Sequence, residues 1–167
     1  MKRNIRINFS ITLILLFLLA VSSCKDEIDW KANEIEEIES FLQQQDMDIS
    51  PKPSGLYYKD VVVGTGDLVQ TLDTVEVYYS GFFLSGIKFD SNVSDPDPMR
   101  FVLQENSVGL IEGFQEAITY MREGGEAFVI IPSWLAYGTL GYGNIPGYTP
   151  LIFELELVKI DRASVAK

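Results

Sequence analysis

The sequence predicts an α+β fold in which a mainly antiparallel sheet is crossed by one short helix. Apolar and polar residues alternate through 74–83 and most regularly through 151–158, as they do in a strand with one buried face. Between these stretches, the apolar residues Ile111, Phe114 and Ile118 recur at helical spacing. With 167 residues, the chain is long enough for one domain with its own core.

Residues 1–23 have the parts of a secretory signal peptide. Basic residues come first, an apolar run follows at 11–21, and small residues close it at Ser22 and Ser23. The alternative is an uncleaved membrane anchor. The apolar run is too short for that, because a bilayer core is about 30 Å thick.

Cys24 is the only cysteine in the chain, so an internal disulfide is excluded. Val21-Ser22-Ser23-Cys24 resembles the bacterial lipoprotein signal, which implies that Cys24 is lipidated and becomes the first mature residue. The following Lys25-Asp26-Glu27 resembles the tether signals of surface lipoproteins in Bacteroidetes-like bacteria. We therefore expect a lipid-anchored protein of the cell envelope, on the periplasmic face or the outer-membrane surface.

The mature chain is strongly acidic. Residues 1–23 hold three of the 13 Lys and Arg residues and none of the 24 Asp and Glu residues, so the remainder has a net charge of −14. Such a surface repels phosphate backbones, and no nucleic-acid partner is expected. It also gives no attraction to anionic lipid, so acyl chains would have to hold the membrane.

Residues 24–54 are predicted to form a helical arm and a linker. Ile35, Ile38 and Leu42 lie at helical spacing among charged residues, which indicates an amphipathic helix over about residues 29–45. A spacer or dimerising role stays open, as does the oligomeric state. A helix that lies on the domain or stands free as a stalk fits so short a segment better. We expect it to add little to the domain, which would fold from near Ser54.

The predicted domain covers residues 55–160, and a tail follows at 161–167. Turn residues such as Gly64-Thr65-Gly66-Asp67 and Ser85-Gly86 separate the strands, and Glu123-Gly124-Gly125 ends the helix. The predicted elements are strands at 56–63, 74–83, 99–103, 126–131 and 151–158, with a helix at 110–121.

The chain has no histidine, which excludes a Ser-His-Asp triad, a Cys-His pair and a His-ligated zinc site. Phosphate-binding and dinucleotide motifs are also absent. We therefore expect no metal and no cofactor. What remains is a set of aromatic residues on or beside the predicted sheet and helix: Tyr79, Phe89, Phe114, Tyr137, Tyr142 and Phe153.

Core packing explains any one of these aromatic residues. Tyr137 and Tyr142, however, lie in a Gly-rich loop, where aromatic side chains more often serve binding. Three patches, at 75–81, 86–91 and 136–138, place aromatic residues and the carboxylate of Asp90 on two strand segments and a loop. This combination suggests a pocket for a proline-containing peptide.

Several ordered motifs resemble one family, the FKBP-type, macrolide-binding peptidyl-prolyl isomerases, over residues 55–160. Each motif is weak alone, and their order and spacing make them specific. They are Val77-Tyr78-Tyr79-Ser80-Gly81, Gly86-Ile87-Lys88-Phe89-Asp90-Ser91, Leu110-Ile111-Glu112-Gly113-Phe114, Gly124-Gly125-Glu126, Ile131-Pro132 with Ala136-Tyr137-Gly138, Ile145-Pro146, and Leu151-Ile152-Phe153-Glu154-Leu155-Glu156-Leu157.

The resemblance implies a twisted antiparallel half-barrel sheet wrapped around the short helix. It implies catalytic roles for Tyr79, Phe89, Asp90 and Tyr137. It implies substrate binding by Met99, Leu110, Ile111, Phe114, Tyr142, Ile145 and Phe153. The sequence departs from the family at the pocket floor, where Phe114 replaces Trp, at Met99, which replaces Phe, and in a longer turn at 104–109.

By this resemblance, the chain would isomerise Xaa-Pro bonds in exported polypeptides and assist their folding. Asp90 would be a buried acceptor that orients hydroxyl groups, because the reaction transfers no proton. A second hypothesis is a binding module that holds proline-containing peptides or a partner with little turnover. A third is an anchored scaffold whose pocket has no function.

Overall fold

The computed structural model describes residues 25–104 and 109–162. The chain divides into two compact units, residues 1–33 and 34–167. In the first unit, the structure describes the helical residues 25–33. Cys24, the signal segment and most of the predicted tail lie outside the described residues.

The described residues form two helices and six strands. All predicted strands are found, with bounds that shift by one to three residues at several ends. The elements are α1 (Lys25–Gln44), β1 (Tyr57–Val62), β2 (Thr74–Phe83), β3 (Lys88–Ser91), β4 (Met99–Val102), α2 (Glu112–Thr119), β5 (Gly125–Ile131), a 3-10 helix (Ser133–Leu135) and β6 (Leu151–Asp161).

The strands form one antiparallel sheet in the order β1-β5-β6-β2-β3. β4 also pairs with β2, along residues 74–77, while β3 pairs with residues 80–82 of the same strand. The central strand β6 pairs with β5 over residues 151–157 and with β2 over most of its length. This topology, with α2 packed against the sheet, confirms the predicted α+β fold.

The short helix α2 lies very close to the sheet because Gly113 has no side chain. A Cβ at Gly113 would come within 2.3 Å of Ile131 Cγ2. This approach buries Phe114 and Ile118 in the main core together with Phe153. The helix is shorter than predicted, ending at Thr119, although Met121 is still buried and its N–H donates to the Ile118 carbonyl at 3.1 Å.

The second part of α1, from Glu34 onward, packs against the other face of the sheet. Ile38 and Leu42 are buried there against three residues of the sheet. Those three residues are Tyr57, Ile130 and Ile152.

The expectation that α1 adds little to the domain is therefore wrong. Ile152 stands at a position where the alternating pattern predicts a polar, solvent-facing residue, yet it is 6% exposed. Ile130 is its cross-strand partner on β5. The two make part of this second face of the sheet apolar, so that this part too has to be covered.

Ile38→Ala should lower the free energy of unfolding by about 2–5 kcal/mol, because it removes a buried aliphatic side chain. Ile35→Ala is the matched control on the same helix, since Ile35 is 37% exposed. It should change the free energy by less than about 0.5 kcal/mol. Urea denaturation measures both, and equal small effects would show that α1 is a free stalk.

Candidate functional site

An aromatic cluster fills the space between α2 and the sheet. The rings of Phe114 on α2 and Phe153 on β6 meet edge to face, with centroids 5.5 Å apart. Phe89 on β3 makes a similar contact with Phe153 at 5.7 Å, and Tyr79 on β2 lies 5.8 Å from Phe114. Edge-to-face geometry is favourable for aromatic pairs, so the rings form a stable apolar wall.

Gly81 makes room for this arrangement on β2. It stands opposite Phe153 on β6 and opposite Asp90 on β3. A Cβ at Gly81 would come within 2.6 Å of the Phe89 ring and 3.2 Å of the Phe153 ring. The glycine thus lets two rings from neighbouring strands cross the backbone of β2.

Asp90 organises the hydroxyl groups at the edge of the cluster. The Tyr79 hydroxyl donates to Asp90 Oδ2 at 2.7 Å, and the Ser91 N–H donates to Asp90 Oδ1 at 2.9 Å. Asp90 is exposed, so the expectation of a buried acceptor is wrong. The reason is that β3 is an edge strand whose alternate residues face solvent.

Burial raises the pKa of the Tyr79 hydroxyl above its ordinary value, and the hydrogen bond to Asp90 raises it further. Burial also raises the pKa of Tyr137, followed by the negative charge of Asp90. Since an unperturbed tyrosine titrates near about 10, both hydroxyls remain protonated at neutral pH. Both can therefore act as hydrogen-bond donors, and Asp90 lies close enough to influence each.

Tyr137 lies in the loop between β5 and β6 and stacks on Tyr142, with ring centroids 5.2 Å apart and an interplanar angle of 14°. Tyr142 is 70% exposed and contributes its face to Tyr137 rather than to the aromatic cluster. A tight turn follows, in which Tyr142 and Ile145 exchange two backbone hydrogen bonds of 2.9 Å. This turn buries Ile145 against the core.

The Tyr137 hydroxyl donates to no residue that the structure describes. The same holds, within those residues, for the backbone N–H of Ile111 at the start of α2. Both groups belong to a groove of about 440 Å³, lined chiefly by Leu110, Ile111, Trp134, Tyr137 and Tyr142. Two donors in one groove could hold the carbonyl groups of an extended peptide.

Most of the predicted site residues belong to or pack against one core cluster, whereas Asp90 and Tyr142 are exposed. Met99, Leu110 and Ile111 are partly buried against the core that contains Phe114 and Phe153. The sequence reasoning missed Phe101, whose ring lies 6.2 Å from that of Phe114. Phe101 lies two residues after Met99 on the same strand and therefore on the same face, and this spacing could have identified it as a further site residue.

The described residues hold no group of three or more acidic, cysteine or histidine side chains suited to a metal ion. Within 25–104 and 109–162, no helix has the length and apolar character needed to cross a membrane.

Comparison with known proteins gives a consistent family. Residues 66–158 match the model of the family described as "FKBP-type peptidyl-prolyl cis-trans isomerase". The chain is 33% identical over 142 residues to the FKBP-type peptidyl-prolyl cis-trans isomerase FkpA of Escherichia coli K12, covering 85% of this chain and 50% of FkpA. It is 36% identical over 113 residues to the FKBP-type 22 kDa isomerase of the same organism, covering 67% and 53%. The chain thus spans about half the length of the curated relatives it matches.

Solved structures agree. The crystal structure of Escherichia coli FkpA matches with a TM-score of 0.69 at 29% identity, covering 97% of this chain and 76% of that one. A peptidyl-prolyl isomerase structure from Pseudomonas syringae matches with a TM-score of 0.63 at 28% identity, covering 78% and 96%. With the family match over more than half of its length, this chain belongs to the FKBP-type peptidyl-prolyl cis-trans isomerases.

Proposed function

We propose that this chain catalyses cis-trans isomerisation of Xaa-Pro bonds in polypeptides. The main support is the pairing of an apolar aromatic wall with a tyrosine hydroxyl that no described residue engages. The proposed catalytic residues are Tyr79, Phe89, Asp90 and Tyr137. The proposed substrate-binding residues are Met99, Leu110, Ile111, Phe114, Tyr142, Ile145 and Phe153.

The reaction needs no nucleophile, because no covalent bond breaks. The barrier of about 18–20 kcal/mol arises from loss of amide resonance as the bond twists. The twisted amide has less charge separation than the planar one, so an apolar wall of Phe114 and Phe153 favours it. The Tyr137 hydroxyl and the Ile111 N–H would hold the flanking carbonyl groups. Such contacts accelerate the reaction to the extent that they are stronger in the transition state.

Asp90 has a positioning role in this proposal. Its Oδ2 accepts the hydrogen bond of Tyr79, which fixes that ring against Phe114 and Phe153. The raised pKa of Tyr79 and of Tyr137 keeps both hydroxyls protonated. The rate should therefore not depend on their titration near neutral pH.

The substrates are proposed to be exported proteins, whose folding the chain would assist at the cell envelope. This proposed location rests on residues 1–24, which have the parts of a secretory signal peptide and end in a segment that resembles a lipoprotein signal. The second candidate is a binding module with little turnover. It is favoured by the smaller floor at Phe114 and by Met99, both of which depart from the family pattern.

Tyr137→Phe should lower kcat/KM for an Xaa-Pro peptide by about 2- to 10-fold, the equivalent of one lost hydrogen bond. Tyr78→Phe is the matched control, because Tyr78 precedes Tyr79 on β2 and points to the opposite face of the strand. A coupled cis-trans assay measures both variants. Equal kcat/KM values for Tyr137→Phe and the wild type would show that the Tyr137 hydroxyl is not a donor in the reaction.

Phe114→Trp separates the two candidate functions. A larger floor would exclude more water from the twisted amide, so the rate should be preserved or raised, provided that overpacking stays below about 3 kcal/mol. A thermal melt in parallel controls for overpacking. A wild-type protein that binds proline-containing peptides without raising the isomerisation rate would support the binding module instead.

Cys24→Ala should release the protein from membranes or leave the precursor unprocessed, because the acyl chains would have no attachment point. Ser22→Ala is the control, since it keeps a small residue before the proposed cleavage site. Cell fractionation and the mass of the first mature residue test this. Wild-type protein found wholly in the soluble fraction without lipid mass would contradict the anchor.

A further inference from the structure

A buried carboxylate links helix α1 to the loop that carries Tyr137. Glu34 is 3% exposed, and its Oε1 accepts a hydrogen bond from the backbone N–H of Ser133. Its Oε2 accepts a second one from the Ser133 hydroxyl at 2.6 Å. Burying a carboxylate is costly unless hydrogen bonds replace its hydration, and these two bonds do so across 99 residues of sequence.

Ser133 in turn holds both neighbours of Tyr137. Its carbonyl accepts hydrogen bonds from the N–H of Ala136 at 2.9 Å and from that of Gly138 at 2.8 Å. Gly138 has a φ of 61°, a conformation that glycine adopts without strain. The position of Ser133 therefore sets the path of the backbone through Tyr137.

Trp134, the residue after Ser133, is also bonded to a segment that lies earlier in the chain. The indole N–H of Trp134 donates to the Ser54 carbonyl at 3.1 Å. Gly55 lies directly against this ring, since a Cβ there would come within 2.8 Å of Trp134 Cζ2. Two successive loop residues thus contact a segment that precedes the family match at residue 66.

We propose that Glu34 is a positioning residue for Tyr137, so that the second part of α1 belongs to the framework of the active site. Ile38 and Leu42 fix the helix to the sheet, and Glu34 transmits that position through Ser133. The inference rests on the proposed isomerase function for its kinetic consequence. Its structural consequence, the ordering of residues 133–138, does not depend on activity.

Glu34→Ala removes both acceptors and leaves the Ser133 N–H buried without a partner. We expect kcat/KM to fall by about 2- to 10-fold, the range expected for loss of the Tyr137 donor. Glu34→Gln keeps one amide oxygen as an acceptor and the length of the side chain. It should retain more activity than Glu34→Ala.

The decisive measurement is a double-mutant cycle with Tyr137→Phe. If Glu34 acts through the Tyr137 hydroxyl, Glu34→Ala should change kcat/KM by less than about 1.5-fold once that hydroxyl is absent. Val69→Ala is the control for general loss of stability, because Val69 is buried and lies outside both α1 and residues 133–138. It should destabilise the protein and leave kcat/KM unchanged under conditions where the protein stays folded.

Additive effects of Glu34→Ala and Tyr137→Phe, or an unchanged kcat/KM in Glu34→Ala, would overturn the proposal. A second readout tests the proposal even if the wild-type protein has no isomerase activity. Hydrogen exchange at the amides of Ala136 and Gly138 should be faster in Glu34→Ala than in Val69→Ala. Equal exchange in the two variants would refute the positioning role, whereas faster exchange without wild-type turnover would refute only the proposed catalysis.

Discussion

Around Ile130 and Ile152 the sheet is apolar on both faces, and this constraint decides how the rest of the molecule is arranged. On β6, Phe153 faces one side and Ile152 the other, and both are buried. Each apolar face has to be buried by another element. Helix α2 buries one face, and the second part of α1 buries the apolar part of the other. The candidate site lies on the α2 side, and its loop is hydrogen-bonded to α1.

The candidate site follows from where the chain can approach itself closely. Gly113 lets α2 reach β5, and Gly81 lets the rings of Phe89 and Phe153 cross β2. These two approaches bring Phe114 against Phe153 and create an apolar wall. A reaction that only rotates a bond needs little more than such a wall and a few donors that remain protonated.

The N-terminal segment has a part in the domain that its position outside the family match does not suggest. From Glu34 onward its apolar residues cover part of the sheet, and the buried carboxylate of Glu34 bonds to Ser133 at the start of the Tyr137 loop. Replacing Glu34 by alanine would leave Ser133 with an unsatisfied donor in the interior. In this chain, therefore, the loop of the site is hydrogen-bonded to the second part of α1.

The sequence by itself determined the fold class, five of the six described strands and most of the aromatic set. Alternation with a period of two and the spacing of Ile111, Phe114 and Ile118 depend only on residues close together in sequence. Such patterns can therefore be recognised without knowing which distant residues are in contact. The ordered motifs added the family, and hence the pocket residues as expectations.

Only the tertiary structure decided which residues meet across long stretches of sequence. The Glu34–Ser133 contact, the exposure of Asp90 and the burial of Ile152 each depend on what another element places beside them. A helix with Ile38 and Leu42 on one face has the same pattern whether that face meets a sheet or a second helix. The partner of an apolar face is settled by the free energy of the whole packed structure, which a local pattern does not contain.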